Sequence, residues 1–137
     1  MKENIQLPKK IVDGYASQFD IEPIEYTDDL VHIRWNVGQS DLNPANIAHG
    51  GAIFSVADTV CALLGFKTLH VLTKSVHFYY YRPVTSGEAD VRGYFSRQGS
   101  FTSLMEVEIR QNGKLCMKGF YDMAKMKGGE EWQHTGE

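Results

Sequence analysis

Asp58 sits in the middle of an apolar run from Gly51 to Phe66, flanked by Val56, Ala57 and Val60. An unpaired carboxylate there gives up hydration worth several kcal/mol, so something must justify it. One account is a core Asp hydrogen-bonded to a neighbouring backbone or hydroxyl group. The other is a general base or nucleophile in a partly desolvated site, its pKa raised above the ~3.9 of a free Asp by burial. A second element, His49-Gly50-Gly51, stands at the entrance of the same run. Two glycines let a ligand approach the backbone closely, and the first N–H groups of a helix are free donors at the positive end of its dipole. An oxyanion hole is built from such donors, and losing one typically lowers the rate ~10²–10³-fold. A plain loop-to-helix turn capped by Asn46 or His49 explains the same residues.

The spacing of the two elements sets a geometric condition. Asp58 lies eight residues beyond Gly50, which is ~12 Å along a helix. A base and an oxyanion donor must both come within ~3 Å of one reacting group or its water. One chain does not easily do this, whereas two helices meeting antiparallel across a twofold axis would set Gly50 against Asp58 of the partner subunit. Activity would then require a dimer.

The elements that must hold these residues follow from periodicity. From Gly51 to about Phe66, Ala52, Ile53, Phe54, Val56, Ala57, Val60, Cys61, Leu63 and Leu64 are apolar almost all round, which predicts a buried helix. Ahead of it, Gly38 to Ala48 reads as a polar loop with Asp41, Asn43, Pro44 and Asn46 as turn formers. From Leu30 to Val37, Val31, Ile33, Trp35 and Val37 alternate with His32, Arg34 and Asn36, a half-buried strand paired with a shorter one near Glu22 to Thr27. Four more strands are predicted, at 73–82, 88–97, 101–111 and 114–123, the last two joined at Asn112-Gly113 as a hairpin. A short helix is expected after Pro8, with Ile11, Val12 and Tyr15 on one side, and fraying from Lys125 to Glu137. One buried helix among six mostly antiparallel strands is an α+β layout, a sheet curled around a central helix. The whole, residues 1–137, reads as one domain with its core at about 20–125.

Composition narrows the function classes. The 137 residues carry a net charge of −3 and no Lys/Arg run longer than Lys9-Lys10, which gives no electrostatic footprint for nucleic acid or an anionic membrane. No stretch approaches the ~20 apolar residues of a membrane span, and Met1 to Leu7 lacks a secretory apolar segment, so a cytoplasmic protein is expected. Cys61 and Cys116 read as buried reduced thiols. The histidines at 32, 49, 70, 77 and 134 have no metal-ligand spacing and no evident carboxylate partner, so no metal is expected. Neither a Gly-x-Ser-x-Gly elbow nor a plausible Cys/His pairing is present, which disfavours a serine or cysteine hydrolase.

The run from Asn43 through His49-Gly50-Gly51 to Asp58-Thr59 resembles the phenylacetate-pathway type of hotdog-fold acyl-CoA thioesterase, related to the 4-hydroxybenzoyl-CoA thioesterases. An Asn before the His-Gly-Gly and an Asp on the following helix match that pattern in both spacings. Thr73 to Pro83, followed by Gly87, resembles the family's third strand and turn, and the likeness covers about residues 20 to 125. The resemblance implies a hotdog fold, a homodimer that often pairs into a tetramer, and hydrolysis of a CoA thioester with no metal or organic cofactor. It places Asp58 as the acidic base or nucleophile, Gly50 as the glycine whose amide polarises the thioester carbonyl, and Asn43 as the amide that orients substrate or water. His49 would hold the loop rather than transfer a proton, and Thr73 would help hold the attacking water, though a simple strand Thr fits equally.

CoA phosphates need cations, for which Arg82, Arg97 and Lys74 are the candidates, with solvated surface charge the plainer reading of each. Aromatic residues along Val76 to Tyr81, with Phe54, fit an acyl tunnel or ordinary core. Two rivals remain. A non-catalytic acyl-CoA-binding hotdog module would bind without turnover, and a hotdog dehydratase or hydratase would need a partnered His that the helix does not offer.

Overall fold

The computed structural model describes residues 4–66 and 71–125. Six strands form one antiparallel sheet: β1 (Ile21–Tyr26), β2 (Leu30–Val37), β3 (Val71–Tyr80), β4 (Gly87–Gln98), β5 (Thr102–Gln111) and β6 (Lys114–Lys125). Their order across the sheet is β1-β2-β4-β5-β6-β3, so β1 and β3 are edges. The long helix α2 (Gly50–Phe66) packs on the inner face, burying ten of its residues against inward rows such as Val31, Ile33 and Trp35 of β2 and Met105, Val107 and Ile109 of β5. Close approach at one point needs a glycine. A Cβ on Gly93 would lie 2.5 Å from Val60 Cγ1, so β4 leaves room for the helix there.

β2 covers the predicted residues end to end, and Asn112 and Gly113 both take positive φ (51° and 76°), as a two-residue turn requires. Both cysteines are free and buried. Two expectations are corrected. The first helix, α1 (Lys9–Val12), is a single turn, because Gly14 takes a non-helical conformation and Tyr15–Gln18 form a separate 3-10 turn with Tyr15 exposed. The second concerns histidine: His32 does have a carboxylate partner, its Nε2 lying 2.9 Å from Asp90 Oδ1. The register of β2 against β4 sets Arg34 beside Asp90, so His32 meets Asp90 on the diagonal, across 58 residues of sequence. The fraying expected of the tail lies outside the described residues except at Lys125, which ends β6.

Candidate active site

Asp58 is half-buried on α2, and the Thr73 hydroxyl donates to its Oδ1 at 3.1 Å. Burial raises the Asp58 pKa, and the Thr73 hydrogen bond partly offsets that rise by favouring the ionised form. Thr73 reaches the helix because β3 carries a bulge. Thr73 pairs with Met123 and Ser75 with Asp122, leaving Lys74 as the extra residue. Without that bulge, Thr73 and the core-packed Val76, three residues apart, would point to opposite faces. One turn on from Asp58, burial and then the Asp58 charge push the Cys61 thiol well up, so it is an inert core group.

The second cluster gathers at the start of α2. His49 N–H donates to Asp41 O at 2.8 Å, and His49 Nδ1 accepts the Gly51 N–H at 2.8 Å, which makes His49 the helix cap. Nδ1 as acceptor puts the proton of the neutral ring on Nε2. Asn43 folds its own loop, its Oδ1 accepting from Ala45 N (2.9 Å) and Ile47 N (3.3 Å). Ala48 N–H ties the loop to Val84 O at 2.7 Å. Between these segments lies a cavity of about 400 Å³, walled by Asn43, Gly50, Ile53, Tyr80, Arg82 and Val84 among others.

The two glycines serve different ends. A Cβ on Gly51 would press to 3.1 Å from His49 Nδ1, so that glycine protects the cap. A Cβ on Gly50 would meet nothing nearer than the Tyr80 hydroxyl at 4.0 Å. Packing does not demand a glycine at 50, and the residue leaves the cavity floor open. The Gly50 N–H has no partner among the described residues and sits at the positive end of α2.

The structure thus assembles two separate clusters rather than one. Asp58 joins Thr73, while Gly50, Asn43 and Arg82 share the cavity, which Asp58 does not line. Of the three cations, Arg82 walls the cavity while its Nη1 donates to Leu115 O at 2.8 Å. Lys74 is exposed at the β3 bulge, and Arg97, bonded to Thr102 Oγ1 at 3.1 Å, lies near the other end of β4. That end of the sheet is the Asp58 end, since Thr73, Met123, Ser103 and Gln98 pair in a line across it. Sequence reasoning placed Tyr80 only in an aromatic run. Its even parity with Val76 and Phe78 was the available signal for an inward position. A larger hollow of about 550 Å³ on the β1 edge, lined by Ile5, Pro23 and Thr27 among others, shares no residue with either cluster. No group of three or more metal-ligating side chains occurs among the described residues, nor any helix long and apolar enough to cross a membrane.

The model of the thioesterase superfamily matches residues 45–117, the stretch that holds the Gly50 loop, Asp58 and Thr73 and makes up more than half of the chain. The chain belongs to that superfamily. This thioesterase shares 25% identity with a hypothetical thioesterase protein of Streptococcus pneumoniae determined with coenzyme A, over 86% of this chain and 95% of that one, with a TM-score of 0.82. A Streptococcus mutans protein bound to acetyl CoA is 21% identical over 78% and 89% of the chains, with a TM-score of 0.75. The PaaI protein of the E. coli phenylacetic acid degradation operon is 23% identical over 82% and 84%, with a TM-score of 0.77. The α+β hotdog fold and the family expected from sequence both hold, and the protein is a thioester hydrolase.

Proposed function

We propose that this thioesterase hydrolyses an acyl-CoA at a composite site, with Gly50 supplied by one subunit and Asp58 by its partner. The observation that carries the reading is the separation of the two half-sites on one continuous helix, ~12 Å apart at 1.5 Å per residue. A second copy seated against α2 and β3 brings them together. Among the described residues β3 is an edge strand, and Leu72, Tyr79 and Tyr80 are exposed on it.

In this reading the thioester carbonyl oxygen lies on the Gly50 N–H. Asp58 of the partner subunit takes a proton from water, and the oxygen of that water forms the new bond to the acyl carbon. The C–S bond then breaks, and the proton on Asp58 passes to the departing CoA thiolate. Burial, which raises the carboxylate's basicity, suits it to that task. Thr73 occupies Oδ1 and leaves Oδ2 to the water. Asn43, beside Gly50, orients the acyl group through its side-chain amide, and the His49 cap holds Gly50 in place. The CoA phosphates meet Arg82 of the Gly50 half and Lys74 and Arg97 of the Asp58 half. The coenzyme A and acetyl CoA in the two streptococcal structures support that substrate class. The enzyme is taken as a cytoplasmic homodimer, paired further into a tetramer, that uses no resident cofactor.

The test is hydrolysis of acetyl-, hexanoyl-, palmitoyl- and benzoyl-CoA by the natural protein and by Asp58→Asn. The variant keeps its fold and loses at least ~10²-fold in kcat, as for loss of a positioned base. Equal turnover by the two proteins sinks the assignment. Solvent ¹⁸O found in the Asp58 carboxylate after a single turnover would make Asp58 the nucleophile instead.

A further inference from the structure

Tyr80 stands across the cavity from Gly50. Its ring lies edge-on to Phe78, centroids 5.8 Å apart at 84°, and Phe78 in turn packs on Phe54 (5.2 Å) and Tyr121 (5.6 Å). The buried Tyr121 donates its hydroxyl to Phe54 O at 3.2 Å, which locks this aromatic group to the first turns of α2. The Tyr80 ring is therefore held by a fixed neighbour although its outer edge is exposed. Its hydroxyl makes no hydrogen bond among the described residues and ends 4.0 Å from the point a Gly50 Cβ would occupy. Burial raises its pKa above the ordinary 10.0, so at neutral pH it carries its proton. An unpartnered donor beside an unpartnered backbone N–H, both lining one cavity, is an arrangement that a single acceptor oxygen completes.

We propose that the Tyr80 hydroxyl is the second hydrogen-bond donor to the thioester carbonyl oxygen seated on the Gly50 N–H. The inference rests on the acyl-CoA reading of the site. A carbonyl oxygen has two lone pairs, and as it gains charge during attack, two fixed donors stabilise it more than one. Tyr80 keeps its proton throughout and exchanges no bond.

The experiment compares natural protein, Tyr80→Phe and Tyr80→Leu in the hydrolysis of hexanoyl-CoA and benzoyl-CoA. In Tyr80→Phe, kcat and kcat/KM fall together by roughly 10²-fold, with KM within about twofold and Tm unchanged, because a transition-state contact is lost while the ring stays packed. Tyr80→Leu shows the same fall in kcat and adds a rise in KM. A Tyr80→Phe variant with natural kcat overturns the donor role, as does a kcat loss confined to Tyr80→Leu, which would assign the effect to ring packing. A rise in KM at unchanged kcat also overturns it. Natural turnover in Tyr80→Phe beside a dead Asp58→Asn removes this inference alone, whereas no turnover of acetyl-, hexanoyl-, palmitoyl- or benzoyl-CoA by natural protein removes the acyl-CoA reading beneath it.

Discussion

Asp58 is tuned by two opposed effects, and each can be taken away separately. Burial raises its pKa above the ordinary 3.8, and the Thr73 hydroxyl pulls it back. If the ionised carboxylate is the working form, kcat/KM falls on the acid side through the Asp58 pKa of the free enzyme. Thr73→Ala deletes a hydrogen bond to the ionised form, so this acid limb moves to higher pH, and a pH–rate profile with an unmoved limb contradicts the coupling. Stability follows the same group with a definite sign. Between 3.8 and the raised value the folded chain binds more protons than the unfolded one, so this contribution to stability declines as pH rises through that window. The carboxylate is thus held at the expense of stability, as expected of a group kept for chemistry.

At the scale of the element, the outer face of the sheet is fastened by one lysine. Lys118 on β6 places Nζ 2.8 Å from Glu106 Oε1, 2.9 Å from Glu108 Oε2 and 2.7 Å from the Tyr94 hydroxyl, linking β4, β5 and β6. Its hydrogen bond holds Glu106 below the ordinary carboxylate value; at Glu108 burial acts upward, but Lys118 and Arg110 together outweigh it. Lys118→Met leaves two carboxylates, each 19% exposed, side by side without that cation. Urea unfolding at pH 7 should show a loss of about 1–3 kcal/mol. Both carboxylates are depressed in the folded state, so the stabilisation is present above the ordinary Glu value and lost as pH falls through the folded one. The deficit of the variant therefore shrinks toward pH 3. An equal deficit at both pH values would point to packing alone.

Legibility in the sequence also divides at this scale. The alternation of Val31, Ile33, Trp35 and Val37 is local, and β2 could be read to its ends; so could the Asn112-Gly113 turn and the apolar length of α2. The β3 bulge at Lys74 could not, because it depends on register against β6, about fifty residues away, and it is what turns Thr73 toward Asp58. His32 with Asp90 and Tyr80 beside Gly50 are likewise meetings across the fold. Asn43 shows the opposite limit: its position was legible, but its Oδ1 is spent on its own loop, which leaves the Nδ2 amide for a ligand.

For the whole molecule, the decisive property is that α2 runs unbroken from Gly50 to Phe66. A regular helix cannot shorten the two turns between Gly50 and Asp58, so the proposed site joins Gly50 of one copy to Asp58 of another, and subunit mixing tests this directly. Gly50→Val puts two methyl groups into the cavity, where the atom nearest the Cβ position is the Tyr80 hydroxyl at 4.0 Å. Asp58→Asn removes the proposed base, and each variant alone is expected to be inactive. A mixed dimer holds one intact site, with Gly50 from the Asp58→Asn chain and Asp58 from the Gly50→Val chain, and one site with both defects. Random association of equal amounts makes half of the dimers mixed, so co-refolding the two inactive proteins restores about a quarter of natural specific activity, as twofold symmetry dictates. A site contained within one chain restores none, because every chain in the mixture then carries a defect of its own.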